Sequence, residues 1–129
     1  MLVSELDTPA VTCDLDILES NVEKYQDMIA GAGLKVRPHI KTHKIPEIAH
    51  MQLTAGAIGI CCQKVTEAEI FVAAGIEDVM IAYNIMGKQK LERLTRIARR
   101  ADLKVAIDSA YTAQGISRQA VEDEVEVGI

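Results

Sequence analysis

The chain has 129 residues, of which 49% are hydrophobic and 26% charged, and its net charge is -5 at pH 7. This composition is ordinary for one globular domain, and no apolar run approaches the ~20 residues of a membrane-spanning helix. The acidity argues against a nucleic-acid partner, and the lack of a secretory signal pattern predicts reduced cysteines in a cytoplasmic protein.

The N-terminal segment predicts one strand and one helix. Residues 9–13 are typical of a short strand, and Asp14 follows with a side chain suited to capping a helix. Apolar residues then recur at helical spacing, at Leu15, Leu18, Val22, Tyr25 and Ile29. This stripe predicts a helix that packs one face on a sheet and ends near Gly31 and Gly33.

Strand-like runs then recur along the chain, beginning near Leu34, Ala57, Asp78, Leu103 and Glu124. Helices are predicted between them, over residues 46–54, from residue 66, over residues 87–101 and within residues 109–123. Thr66 and Glu69 have capping-box spacing, and Gly115 interrupts the last helix. The alternation predicts an α/β fold of parallel (β/α) repeats. The repeat is compatible with a small open sheet or with the first part of a (β/α)8 barrel, which needs about 250 residues.

The most unusual stretch concentrates basic and imidazole side chains where the strand beginning near Leu34 ends: Arg37-Pro38-His39-Ile40-Lys41-Thr42-His43-Lys44. If the strand runs through Lys41, then Arg37, His39 and Lys41 share one face. Three cationic groups on one face are costly to bury without anionic partners, which favours a functional site over a solvated strand end. A lysine attacks an aldehyde as the neutral amine, a form that neighbouring cations favour, and the same positive field attracts a phosphate ester.

This octapeptide resembles the cofactor-lysine motif of the D-threonine aldolase and D-serine dehydratase group. These are pyridoxal-phosphate enzymes of the alanine racemase type, fold type III. Weaker similarity extends over residues 6–10, 14–16, 51–53, 55–57 and 60–62. The resemblance implies that residues 1–129 are the N-terminal portion of a (β/α)8 TIM-like barrel, with the later strands and a β-rich C-terminal domain lying beyond them.

The resemblance also implies the site. Lys41 is expected to be the catalytic residue and to carry pyridoxal 5'-phosphate as an internal aldimine. Arg37, His39, Thr42 and Gln63 are candidate cofactor-binding residues. No metal site is predicted in this chain, and a divalent metal, where one is needed, is expected to be bound by the C-terminal part of such enzymes.

The ends of the other predicted strands add weaker candidates, among them Asn84, Asp108 and Ser109. Asn84 and Ser109 are more simply loop or helix-capping residues. Cys61 and Cys62 are expected to be reduced thiols packed in or near the core.

The implied activity is that of a pyridoxal-phosphate-dependent lyase acting on D-3-hydroxy amino acids, of the D-threonine aldolase or D-serine dehydratase type. The 129 residues alone are expected to be inactive, because the strands that close a barrel would lie beyond them. Three alternatives stay open. They are a non-catalytic pyridoxal-phosphate-binding or homeostasis protein, an amino-acid racemase of the same fold, and a phosphate-binding α/β domain without an imine. The expected partner is a small D-amino acid, with no nucleic acid or membrane, and a homodimer is left open.

Overall fold

The computed structural model describes residues 2–129. Its helices are α1 (Leu15–Gly31), α2 (Pro46–Thr54), α3 (Val65–Ala73), α4 (Lys88–Ala98) and α5 (Ala110–Glu122). Its strands are β1 (Ile60–Cys62), β2 (Asp78–Ile81) and β3 (Asp102–Val105). Short 3-10 turns lie at Val3–Glu5 and Ile40–Thr42, and we call the second one the lysine turn. No helix within residues 2–129 is long and apolar enough to cross a bilayer.

The strands form one parallel sheet in chain order, β1-β2-β3. In its register Cys61 lies opposite Met80, which lies opposite Lys104. A single bridge extends the sheet on each side, because His39 pairs with Cys61 and Gly128 pairs with Lys104. Five parallel segments therefore follow one another across the sheet, as the repeat in the sequence predicted.

The core lies on the face of the sheet that the helices cover. Alternate strand residues point to that face and are buried, namely Ile60, Cys62, Val79, Ile81, Leu103 and Val105. The helices and the lysine turn complete the cluster with Ile40, Ala68, Phe71, Leu94, Ile97 and Ile116. Burying each large apolar side chain contributes about 1.5–3 kcal/mol, so this cluster holds the repeats together.

Three charged side chains of the sheet, Asp78, Asp102 and Lys104, form a polar network with Arg37. The Arg37 guanidinium donates to both carboxylate oxygens of Asp78, at 2.9 and 3.0 Å. Lys104 Nζ lies 3.1 Å from Asp78 Oδ1 and 2.5 Å from Asp102 Oδ2. Gly59 leaves room for this arrangement, because a Cβ there would collide with the guanidinium of Arg37. The network joins the segment before the lysine turn to β2 and β3.

The predicted N-terminal strand was wrong. Within the described chain, residues 9–13 form no strand, and Val11 is fully exposed. An apolar run becomes a strand only where neighbours pair and pack with it, and this segment has none in residues 2–129. The predicted cap at Asp14 is confirmed, since its Oδ1 accepts a hydrogen bond from Ile17 N at 3.1 Å.

The α1 helix forms where the sequence predicted it, but it packs beside α2 instead of on the sheet. None of its residues 15–31 is buried. Leu18 and Val22 line a groove of about 690 Å³ together with Val36 and Pro38, which belong to the segment beside β1 that leads to His39. The apolar stripe of α1 therefore faces this outer segment of the sheet, without the close packing that was expected.

Two details of the helices differ from prediction. The α3 helix begins after Lys64 and has no side-chain cap, so the predicted capping box of Thr66 and Glu69 is wrong. Glu69 instead forms an ion pair with Arg93 of α4. The α5 helix continues through Gly115 without interruption, and the Ser109 side chain caps it as the simpler interpretation held.

Candidate functional site

The cluster of basic residues does not stay in one strand. The chain is extended up to His39 and then enters the lysine turn, in which Ile40 is fully buried and Lys41 is exposed. Since the core side chain of Ile40 anchors the turn, Lys41 leaves the strand before it can share a face with Arg37. The expectation of three basic groups in register on one strand is therefore wrong.

His39 orients the backbone of the lysine turn. Its ring Nδ1 accepts a hydrogen bond from the backbone N of Lys41 at 3.2 Å. Burial lowers the pKa of His39, and the nearby Lys41 charge adds to that effect. A ring nitrogen that accepts must lack a proton, so this imidazole is neutral and carries its hydrogen on Nε2. His39 thus acts as a hydrogen-bond acceptor for the turn and not as a cation.

Lys44 forms an ion pair with a buried carboxylate, that of Glu67. Its Nζ lies 3.0 Å from Glu67 Oε1, and its backbone adopts φ 57°. Glu67 is 5% exposed, and its other oxygen accepts a hydrogen bond from the backbone N of Gln63 at 2.9 Å. Burial alone would raise the pKa of Glu67, but the Gln63 N–H and the Lys44 ammonium outweigh it and lower that pKa.

Lys41 differs from Lys44 in having a free amine. Within residues 2–129 no carboxylate forms an ion pair with Lys41. The bridge between His39 and Cys61 places Lys41 and Gln63 at one edge of the sheet, each two residues beyond the pair. The Gln63 side-chain amide has no hydrogen-bond partner in the described chain either, because the bond to Glu67 involves only the backbone N of Gln63. The structure therefore brings an unpaired amine and an unpaired amide to the same edge.

Arg37 points away from this edge. Its guanidinium binds Asp78, which begins β2, whereas Lys41 follows the C-terminal end of its own segment. The cofactor contact predicted for Arg37 stays a prediction, and the ion pair gives this side chain another partner. Thr42 is exposed and lines the groove beside α1, which contains neither Lys41 nor Gln63 among its described residues.

The loops after β2 and β3 meet at the same edge. Asn84 Oδ1 accepts a hydrogen bond from the backbone N of Asp108 at 3.1 Å. Within residues 2–129 there is no group of three or more His, Cys, Asp or Glu side chains that could hold a metal ion. The chemistry this edge offers is that of an amine without an ion-pair partner in residues 2–129, together with the side-chain amide of Gln63.

Sequence reasoning missed Glu67, which binds Lys44 and the backbone of Gln63, and Asp78, which binds Arg37. Glu67 stands in the first turn of α3, a helix that is otherwise mainly apolar, and a charge in such a helix was a usable signal. For Asp78 no local signal existed, because its partner Arg37 lies 41 residues away in the chain.

Comparison with known proteins identifies the family. The family model described as alanine racemase, N-terminal domain, matches residues 13–129. The chain belongs to this family. Alanine racemase-type proteins of this kind are pyridoxal-phosphate enzymes of fold type III, as the octapeptide predicted.

Relatives that the chain matches along almost its whole length include an aldolase and a dehydratase. The chain is 40% identical to D-threonine aldolase of Arthrobacter sp over 127 residues, covering 98% of this chain and 34% of the relative. It is 40% identical to D-threo-3-hydroxyaspartate dehydratase of Delftia sp. (strain HT23) over 113 residues, covering 87% and 30%. The chain thus spans about a third of the length of these curated relatives.

The fold agrees with the sequence match. The crystal structure of D-threonine aldolase from Filomicrobium marinum superposes with a TM-score of 0.94 at 39% identity, covering 97% of this chain and 34% of that one. The parallel (β/α) repeats are accordingly those of the N-terminal portion of an alanine racemase-type TIM barrel, which confirms the predicted fold class.

Proposed function

We propose that this protein is a pyridoxal-phosphate-dependent lyase for D-3-hydroxy amino acids, with Lys41 as the residue that binds the cofactor covalently. One observation carries the proposal. Of the two lysines in the octapeptide, Lys44 is ion-paired with the buried Glu67, whereas Lys41 has no ion-pair partner in residues 2–129 and lies at the edge of the sheet where the strands end. Parallel α/β folds build their sites at that edge.

The residues present fit such a cofactor. An aldehyde needs a lysine amine that is free to attack it, and an amine held in an ion pair with a buried carboxylate is not free in this sense. The side-chain amide of Gln63, free of internal partners in the described chain, is available to hydrogen-bond the cofactor ring. Thr42 follows Lys41 in the chain and is exposed, but it lines the groove beside α1, so its contact with the cofactor rests on the family resemblance alone.

Pyridoxal phosphate, when bound, supplies an electron-withdrawing ring that stabilises negative charge at the α-carbon of an amino acid. The chain's own residues do the positioning. The His39 imidazole holds the backbone N–H of Lys41 at 3.2 Å, and this fixes where the lysine side chain leaves the turn.

The substrate class is proposed from the relatives. Those that match are named D-threonine aldolase and D-threo-3-hydroxyaspartate dehydratase, and both names describe D-amino acids with a 3-hydroxyl group. Aldol cleavage and dehydration are thus the two candidate reactions. The domain assignment is part of the proposal: residues 1–129 form the N-terminal portion of the barrel domain, as the coverage of about a third of each relative supports.

We also propose a cytoplasmic protein that acts on small molecules, without a nucleic-acid or membrane partner, and that forms homodimers. The net charge of -5 and the three free thiols at Cys13, Cys61 and Cys62 support this setting. Size-exclusion chromatography with light scattering measures the assembly directly, and a monomer at all concentrations would rule out the dimer.

The proposal is tested by titrating the purified full-length protein with pyridoxal phosphate, and then assaying D-threonine and D-serine with and without a divalent metal. We expect a visible absorption band that borohydride abolishes, followed by turnover of a D-3-hydroxy amino acid. A band without turnover would favour the non-catalytic cofactor-binding alternative, and interconversion of alanine enantiomers would favour a racemase. Binding of phosphate esters without any band would support the phosphate-binding domain.

A further inference from the structure

We propose that Glu67 is a positioning residue for Lys41 and Gln63, acting through the Lys44 side chain and the Gln63 backbone. The inference rests on the proposed function, since Lys41 is the cofactor residue there. It assigns a role to a buried carboxylate that neither the octapeptide nor the family match points to.

The first step is the burial of Glu67. The residue is 5% exposed in the first turn of α3, and each of its two oxygens has its own partner. Oε1 lies 3.0 Å from Lys44 Nζ, and Oε2 accepts from the Gln63 backbone N at 2.9 Å. A buried carboxylate is costly unless it is fully paired, so these two contacts are needed to keep it there. The same carboxylate therefore connects the end of the basic cluster to the loop after β1.

The second step is the backbone of Lys44. Its φ of 57° is uncommon for a residue with a side chain, and such conformations persist where the surroundings impose them. The backbone N–H of His43 donates to the carbonyl of Ile40 and closes the lysine turn, and the backbone N–H of Lys44 donates to the same carbonyl at 2.8 Å. Holding the Lys44 ammonium on Glu67 therefore helps to fix the turn in which Lys41 lies.

The third step is the loop after β1. Gln63 follows the strand directly, and its N–H would lack a partner in the described chain without Glu67 Oε2. This bond sets the direction in which the Gln63 side chain leaves the sheet edge. One carboxylate thus orients the two groups that the proposed function places against the cofactor.

A neighbouring ion pair provides the matched control. Glu69 lies half a turn further along α3 and pairs with Arg93 of α4, on the side away from the lysine turn. A purely structural role of Glu67 would resemble that of Glu69, with an effect on stability alone. A positioning role changes the geometry of Lys41 and Gln63 as well.

The test compares E67Q, E67A, K44M and E69Q in the full-length protein. Glutamine at position 67 keeps a carbonyl oxygen for Gln63 N–H but cannot hold the Lys44 ammonium, so it separates the two contacts. Hydrogen exchange of the backbone N–H groups is followed for residues 40–44 and for Gln63, in protein without cofactor. The dissociation constant of pyridoxal phosphate and the yield of borohydride-fixed cofactor are then measured beside the melting temperature.

We expect exchange of the backbone amides in residues 40–44 to accelerate about tenfold or more in E67Q and K44M. Exchange of the Gln63 backbone N–H should change in E67A only. Cofactor affinity should fall about tenfold in E67Q, E67A and K44M, as expected for misplaced site groups, and stay at the wild-type value in E69Q. Equal exchange and equal affinity in E67Q and E69Q at matched melting temperatures would overturn the inference. If E67A does not fold, K44M decides, because Lys44 is 55% exposed on its side chain. A wild-type protein that takes up no cofactor would refute the proposed function, while the exchange data would still show whether Glu67 orders the turn.

Discussion

The Arg37 guanidinium and the Asp78 carboxylate form a two-point ion pair between the segment before the lysine turn and the first residue of β2, with N–O distances of 2.9 and 3.0 Å. Both side chains are partly buried, at 16% and 34% exposure. Lys104 of β3 also contacts Asp78, so one carboxylate ties three parallel segments together. The network fixes the position of the segment that precedes the lysine turn.

Replacing Arg37 by Met should therefore destabilise the fold. Asp78 loses its bidentate partner and keeps only Lys104, and we expect a loss of about 1–3 kcal/mol in the free energy of unfolding. Urea denaturation measures the change. Arg96 is exposed and forms no ion pair within residues 2–129, so R96M is the control and should stay within about 0.5 kcal/mol of wild type. Equal stability of the two variants would show that the ion pair contributes nothing.

Gly59 should tolerate no side chain. An added Cβ would collide with the Arg37 guanidinium and lie 2.7 Å from the carbonyl oxygen of Asp78, at a φ of 148° that favours glycine. G59A is expected to cost about 2 kcal/mol or more, through displacement of Arg37 and backbone strain. G31A is the control, since nothing lies within 4 Å of the added Cβ, and alanine in a helix is neutral or stabilising by up to about 1 kcal/mol. A folded, fully stable G59A protein would contradict the close approach of Arg37 to Gly59.

The network also predicts a dependence of stability on acid pH. Burial alone would raise the pKa of Asp78, but Arg37 and Lys104 outweigh it and lower that pKa below its ordinary value of 3.8. A carboxyl group with a lowered pKa in the folded state stabilises the fold above the unfolded value and loses that contribution as the pH falls through the folded value. The stability difference between wild type and D78N should thus be constant near neutrality and shrink below about pH 4. A difference that stays constant to about pH 2 would be inconsistent with the ion pair.

The three thiols should react in a definite order. Cys13 is exposed, whereas Cys61 and Cys62 are buried, and burial raises the pKa of Cys62 to about 12 and also raises that of Cys61. Since the thiolate is the reactive form, an aromatic disulfide reagent should modify one thiol rapidly in the folded protein and all three after unfolding. C13S should remove the rapid phase. Rapid modification of two or more thiols in the folded protein would show that β1 is open to solvent.

The sequence predicted the sheet well because its signal was local. Each strand of the repeat is a short run that is followed by a stretch with helical spacing of apolar residues. The segments that begin near Ala57, Asp78 and Leu103 are strands or lead into them. The run at residues 9–13 carried the same signal but has no strand partner in the described chain, so pattern alone misled.

The site was only partly predictable. The octapeptide made Lys41 the candidate cofactor lysine, and that assignment stays a prediction. The register of His39 with Cys61 brings Gln63 to the same edge, as expected for parallel strand ends. That Lys41 would lie in a turn depends on the burial of Ile40, and the partner of Lys44 depends on a helix that follows later in the chain. Such contacts are set by tertiary packing, which no single-sequence periodicity contains.

The central proposal is that Lys41, and not Lys44, binds the cofactor covalently. The full-length protein loaded with pyridoxal phosphate is reduced with borohydride and digested, and the modified residue is located by tandem mass spectrometry that resolves the two lysines. K41A should carry no label, and K44M should keep its label on Lys41 at lower yield. We expect the cofactor mass on Lys41, because the Lys44 amine is held 3.0 Å from the Glu67 carboxylate. Label on Lys44 with Lys41 unmodified would contradict the proposal.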